Sequence, residues 1–338
     1  MPRINSMNGG IIGADNTPTP SKKITTFTSN GTFNRTATTA TVITVAGGGG
    51  ASRGGGGAGG VLITACHPLP SCAVPVTVGA GGAASSTNDC RASTGSNSVF
   101  GSATPLTAAG GGGGGGTCGP EGAGGPGGSG GGGASGNPAE EGDGTACQGY
   151  SGGSGYSAGG SGSGGGGGAC RQGGSGSVAN PGGRGKDLTP YGVPTCVGES
   201  GFVGGGGAGS GDCHPSNPYQ TPGQPGPRSP GHSGAPEATT KDIGTGGLGG
   251  GGMSSVGHPL SCLSPTGLAS AGTVNTGGGG GGGHYMSGPG SPPFQANTMG
   301  QAGGSGIVIV IECVQGSSAK SGIYSLQAQF RDIKRSSW

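Results

Sequence analysis

The sequence is short of almost everything that builds an ordinary globular core. Hydrophobic types make up 28% of its 338 residues, aromatics 4% and charged residues 8%, where typical domains are about 45–50% apolar and about 25% charged. A core of close-packed large side chains cannot be assembled from that supply. The shortage of charge excludes further classes. Solvated disordered chains usually carry much charge, and nucleic acid or an anionic membrane is captured by clustered Lys and Arg. Here 15 basic residues face 13 acidic ones for a net charge of +2. Binding of nucleic acid and insertion into a membrane are therefore not expected, and Arg53-Gly54-Gly55 is an isolated Arg-Gly-Gly triplet. Long apolar stretches are missing too. The run Ile307-Val308-Ile309-Val310-Ile311 falls far short of the ~20 residues that cross a bilayer. After Met1-Pro2-Arg3 the chain stays polar, without the apolar region of a signal peptide, so synthesis and folding in a cytoplasm are expected.

What the chain has in excess is glycine, 95 residues of it, in runs such as 47–50, 54–57, 110–116, 130–133, 164–168, 204–207, 249–252 and 277–283. A collagen Gly-X-Y period fails at 110–116 and 277–283, and no fixed repeat length recurs. Random-coil linkers are the simplest alternative, because glycine loses more freedom on folding than any other residue. A packing open only to glycine offsets that loss. Extended helices with three residues per turn and about 3.1 Å rise have no internal hydrogen bonds. Bundled side by side, they satisfy one another's backbone groups. A seven-residue run would then span about 22 Å, with Pro-rich segments such as 223–227 as turns.

Segments rich in β-branched residues flank and interrupt the glycine: 24–33, punctuated by Asn30-Gly31, then 39–46, 60–66, 73–79 and 306–314. Pro75, lacking a donor, argues for an edge position for 73–79. The fold class expected is all-β: a small β-sandwich-like module formed by N- and C-terminal strands, with an inserted polyglycine helix bundle and a short C-terminal α-helix. The domain reading is 1–23 as an N-terminal segment, 24–105 as the β module, 106–303 as the glycine-rich bundle with loops, 304–316 as the closing strand and 317–338 as the helical end. There, Leu326, Phe330 and Ile333 recur at helical spacing, Ser325 can cap, and Arg331, Lys334 and Arg335 suit the helix C-terminus. So short a helix needs a partner.

Catalytic and cofactor signals are weak. Gly-rich matches to phosphate loops lack the flanking strand and helix. Cys66-His67 and Cys213-His214 are adjacent pairs, unlike the spacing of zinc ligands, and the following prolines read these histidines as exposed turn residues. Glu140, Glu141 and Asp143 sit in a glycine loop unsuited to fixing paired carboxylates. No enzyme activity, cofactor or metal is expected. Ten cysteines are too dilute for a disulfide scaffold; Cys66 with Cys72 and Cys196 with Cys213 are the pairs that would close short loops. Aromatic residues in three segments offer rigid contact area: Tyr191 and Phe202, then Tyr219, then His284, Tyr285 and Phe294. Each either touches a ligand or plugs the edge of the glycine packing.

Phe-Thr-Ser-Asn-Gly-Thr-Phe (27–33), Val-Ile-Thr-Val-Ala-Gly-Gly-Gly-Gly-Ala (42–51), Gly-Gly-Val-Leu (59–62), Val-Thr-Val-Gly-Ala-Gly-Gly (76–82), Ser-Val-Phe-Gly (98–101) and Gly-Gly-Ser-Gly-Ile-Val-Ile-Val (303–310) together resemble the glycine-rich domain of tailed-phage tail-fibre and receptor-binding virion proteins. The segments 9–19 and 321–330, with Trp338 last, are similar to a motif pair of phage virion proteins whose halves are here split by the glycine-rich region. Tyr324 stands where Trp is commoner. The resemblance implies a structural protein of the virion, in a tail fibre, spike or other external appendage, synthesised in the host cytoplasm. Its loops would contact a host surface glycan or outer-membrane protein, its termini would lie together as the attachment end, and Tyr324, Leu326, Phe330, Ile333 and Trp338 would dock other phage tail or virion subunits. A homo-trimer and a monomer both stay open, as does a non-adhesive capsid, neck or tail decoration.

Overall fold

A computed structural model describes residues 21–87, 89–117, 122–136, 140–156, 162–176, 180–210, 246–254, 256–258, 261–267, 269–283 and 299–314. The strands are β1 (Ser21–Phe27), β2 (Gly31–Phe33), β3 (Thr39–Val45), β4 (Val61–Pro68), β5 (Val74–Thr77), β6 (Ser98–Phe100), β7 (Leu106–Ala108), β8 (Lys186–Asp187), β9 (Phe202–Val203), β10 (Val256–His258), β11 (Ser261–Gly267) and β12 (Ile307–Val314). Two four-stranded antiparallel sheets, ordered β1-β12-β3-β4 and β2-β5-β6-β7, pack as a sandwich. Phe33, Val42, Val74, Val76, Phe100, Val308 and Val310 fill the space between them. The fold is all-β, as expected.

The central strands of the first sheet, β3 and β12, are buried on both faces. Val308 and Val310 point into the sandwich, while Ile307, Ile309 and Ile311 point the other way, with Ile43 and Val45, onto Leu188, Val193 and Val203. That explains an unbroken apolar run where a half-exposed strand would alternate. The covering segment, 188–203, opens with a 3-10 turn at Thr189–Tyr191. It is tied back to the glycine region where Glu199 Oε2 accepts the N–H groups of Gly249 and Gly250 at 2.9 and 2.8 Å.

Pro75 does not mark an edge: β5 lies between β2 and β6. Its carbonyl accepts the Gly101 N–H at 3.0 Å, just past the last β6 residue paired with β5, Phe100. The nitrogen of a strand residue points the same way as its carbonyl, so the missing donor faces a chain that has already turned away, at Gly101 with φ +92°. His67 also differs from its reading as an exposed turn residue. It pairs with Ala40 inside β4 and meets the Phe100 ring edge-on at 6.0 Å. The expected C-terminal helix lies outside the described residues.

The glycine runs form a lattice of three-residue period. From Ala46 to Ala51, successive N–H groups donate in rotation to three neighbouring runs at 2.8–3.1 Å: Ala46 and Gly49 to Gly60 and Gly57, Gly47 and Gly50 to Ser96 and Ser93, Gly48 and Ala51 to Gly304 and Gln301. The carbonyls accept in the same rotation from three others, through Gly111 and Gly114, Gly82 and Ser85, and Gly280. One run is thus enclosed by six, with its backbone groups satisfied between runs as a helix without internal hydrogen bonds requires. A Cβ at Gly48 would overlap the Gly278 carbonyl, and one at Gly166 the Gly56 carbonyl. Single methyls are nonetheless accommodated at some positions, since Ala58 is fully buried within a run.

The bundle does not start at residue 106. Segments 46–60, 79–85 and 91–97 already belong to the lattice, so the chain passes from β3 into it and returns to β4, and again between β5 and β6. Sandwich and bundle are interleaved along the chain.

Candidate functional site

The hydrogen-bond register gives the molecule two poles. β3 runs toward the bundle, which the chain enters at Ala46, and β12 runs away from it. Across β1 and β12, Phe27 pairs with Val308 near the bundle and Ser21 with Val314 at the far end. The first and last described residues therefore leave the sandwich side by side. At the opposite pole the runs end at Ala51, Ser85, Gly116, Ala134, Tyr156, Gly176, Ser210 and Gly283, linked through contacts such as Ser85 to Ala51, Ser210 to Arg53 and Gly283 to Ser52. The chain flanking segments 211–245 and 284–298 meets the lattice at this pole.

Beneath it lies a buried polar cluster that ties the roots of several turns together. Arg53 Nη1 donates to Ser135 Oγ at 3.3 Å, the Ser135 N–H to Ser163 Oγ at 3.1 Å, Ser210 Oγ to Ser163 Oγ at 3.3 Å, and Asn180 Nδ2 to the Ser210 carbonyl at 2.6 Å. All five residues are buried. Interlocked side chains of this kind hold the ends of these runs in fixed relation. Sequence reasoning passed over them; the available signal was a Ser or Asn at the end of a glycine run.

At the sandwich pole, Glu312 is a fully buried carboxylate on β12. Its oxygens accept from the Thr36 N–H and hydroxyl and from the Ala37 N–H, and Lys23 Nζ lies 3.5 Å away. Burial pushes its pKa up, but the hydrogen bonds from Thr36 and Ala37, with Lys23, outweigh that and hold it below the usual value.

The predicted contact residues separate. Tyr191 is half-buried against the core on the outer face of the first sheet, and its carbonyl is 3.5 Å from Lys22 Nζ. Phe202 lies in β9 with the Arg184 guanidinium 5.0 Å over its ring. Both sit at the sandwich end, in the covering segment. Tyr219, His284, Tyr285 and Phe294, and the docking residues Tyr324, Leu326, Phe330, Ile333 and Trp338, lie outside the described residues. Cys66 and Cys72 are unpaired and exposed, as is Cys196. Cys66, at φ +52°, is the extra residue of a bulge on β4. Among the described residues no three of His, Cys, Asp and Glu converge, and no helix is long and apolar enough to cross a membrane.

The model of the glycine-rich domain family matches residues 24–311, from the middle of β1 to the fifth residue of β12. The chain belongs to the glycine-rich domain family. The match takes in strands and lattice together, in line with their interleaving: in this glycine-rich domain the sandwich and the bundle are one structural unit. No curated protein is significantly similar to the chain.

Proposed function

We propose that this glycine-rich domain protein is a structural virion protein of a tailed phage, a tail-fibre or spike component that attaches through its termini and presents loops to the host surface. The observation that carries the reading is the separation of poles. Ser21 and Val314 leave together at one end, and the runs that flank 211–245 and 284–298 terminate at the other. A bundle closed by backbone hydrogen bonds keeps the two ends apart as a stiff spacer, and the Arg53–Ser135–Ser163–Ser210–Asn180 cluster fixes the loop roots. Other virion subunits would bind the terminal pole and a host glycan or outer-membrane protein the loop pole.

Electron microscopy of virions tagged within 284–294 tests this. A tag at the free tip of a tail appendage is the expected result. A tag on the capsid shell would replace adhesion by decoration, and virions without the tag would overturn the virion assignment itself.

A further inference from the structure

An outer run of the lattice, residues 149–156, is enclosed on four sides and open on the rest. The N–H groups of Tyr150, Gly153 and Tyr156 donate to Gly168, Gly165 and Gly162 at 2.8–3.1 Å, and that of Gly152 donates to Gly142 at 3.0 Å. The carbonyls of Tyr150 and Gly153 accept from Gly130 and Gly133, and those of Ser151 and Ser154 from Gly173 and Gly176. These neighbours bond to one another in turn: 173–176 to 162–168, 162–168 to 130–133, and 130–133 to Gly142. They therefore fill four consecutive places around the run. N–H groups leave a helix of three residues per turn about every 120°, so the third set, Ser151 and Ser154, faces the open place beside 173–176. Among the described residues these two N–H groups have no acceptor. Two of the three large apolar side chains left exposed among the described residues belong to the same run, Tyr150 at 52% and Tyr156 at 36%. They stand two turns apart, about 19 Å. Both leave the run toward 173–176, because a Cβ at Gly153, one turn from each, meets the Gly174 carbonyl. Free donors and tyrosines thus border one edge of the lattice.

We propose that this edge binds an extended Gly-Pro-rich segment of a partner protein, laid along 150–156 as one more run of the lattice. A ligand of three-residue period offers a carbonyl to both Ser151 and Ser154, which lie one turn, about 9 Å, apart. A β-strand turns a carbonyl to one side about every 6.8 Å and cannot meet both. Proline suits the ligand, since the contact asks for carbonyls and proline lacks only the donor. Its ring packs on exposed aromatic side chains wherever such helices are recognised. The lattice also dictates where the ligand needs glycine. When a run donates to one carbonyl, the Cβ of the residue before it points at that same run. Gly176 donates to Ser154 and a Cβ at Gly153 meets Gly174; Gly280 donates to Gly49 and a Cβ at Gly48 meets Gly278. The ligand therefore carries glycine at every third position, just before each accepting carbonyl. Its docking continues the run-to-run bonding that builds the lattice, and it does not depend on the virion reading above.

The test titrates an acetylated, amidated peptide of three Gly-Pro-Gln repeats into the full chain labelled with 15N-serine. Saturable shifts, largest at the Ser151 and Ser154 amides, are expected with a dissociation constant on the order of 1 mM. The same peptide with alanine for each glycine is expected to bind roughly tenfold more weakly or worse, because its methyls meet the run. Tyr150→Ala and Tyr156→Ala, at exposed positions, should each weaken binding about three- to tenfold, with the other serine resonances in place as the sign of an unchanged fold. Serine amides that millimolar peptide does not move, an alanine peptide that binds as well, or tyrosine variants that bind like the parent overturn the site. So does a neutral oligosaccharide such as maltohexaose, if it moves these amides where the peptide does not.

Discussion

Glu312 grips Thr36 twice: one carboxylate oxygen accepts the Thr36 N–H at 2.5 Å and the other its hydroxyl at 2.8 Å, across 276 residues of sequence. The bond joins β12, the last strand, to the connection between β2 and β3, and so ties the two sheets of the sandwich at the terminal pole. With its folded pKa held below the ordinary 4.5, Glu312 contributes stability that is fully present above pH 4.5 and is lost as pH falls through the folded value. Glu312→Gln is expected to cost about 1–3 kcal/mol near neutral pH by leaving the Thr36 and Ala37 donors poorly matched, and to flatten the stability curve at acid pH. Urea unfolding followed across the acid range measures both. Lys23→Ala should cost under about 1 kcal/mol, because the lysine is 44% exposed.

Gly48 sits in the run enclosed by six others, where an added methyl meets the Gly278 carbonyl. Gly48→Ala is expected to destabilise the protein by roughly 3 kcal/mol or more, through overpacking against backbone that cannot move alone. Chemical denaturation checks it; a change within about 0.5 kcal/mol, the usual range for a surface substitution, would mean that the run is not enclosed.

Hydrogen exchange should divide neighbouring glycine-rich segments sharply. The amides of Gly48, Gly49, Gly112 and Gly280 donate inside the lattice at 2.8–3.0 Å and should exchange only by large-scale opening. Those of Ser151 and Ser154, on an outer run, have no acceptor among the described residues and should exchange orders of magnitude faster. Uniform fast exchange across 110–116 and 277–283 would identify these runs as linkers.

Leu188 and Tyr191 cover the outer face of the first sheet. Leu188→Ala should cost about 2–5 kcal/mol, as for a buried leucine elsewhere. Tyr191→Ala should lower thermal stability as well, which a pure contact residue would not do. Differential scanning calorimetry distinguishes the two roles.

Among the described residues seven cysteines, at 66, 72, 90, 147, 170, 196 and 313, are free and exposed. All seven should react with a thiol reagent in native buffer and be identified by peptide mass spectrometry. A disulfide between Cys66 and Cys72 would contradict the arrangement of β4 and β5 described above.

The sequence was legible where local chemistry and long-range packing ask for the same thing. β3 and β12 are rich in Val, Ile and Thr and were readable as strands, Asn30-Gly31 as the break between β1 and β2, and the long glycine runs as material for close backbone packing. Short strands such as β8 and β9 carry no such signal: two residues have no periodicity, and their pairing exists because segment 188–203 folds across the sheet. The edge assignment of Pro75 failed because a missing donor is tolerated wherever the neighbouring strand has ended, and only the register shows where β6 ends.

By itself, then, the sequence determined the class of structure: with few large apolar residues, little charge and glycine in runs, backbone hydrogen bonding between chains has to do what side-chain packing does elsewhere. Tertiary structure decided the rest. A three-residue helical period leaves every run free to pair with any other, since glycine has no side chain to specify a partner. Which six runs enclose Ala46–Ala51, where Phe202 meets Arg184, and that Ser21 and Val314 share a pole are set by the sandwich register and by the lengths of the turns, acting over the whole chain at once.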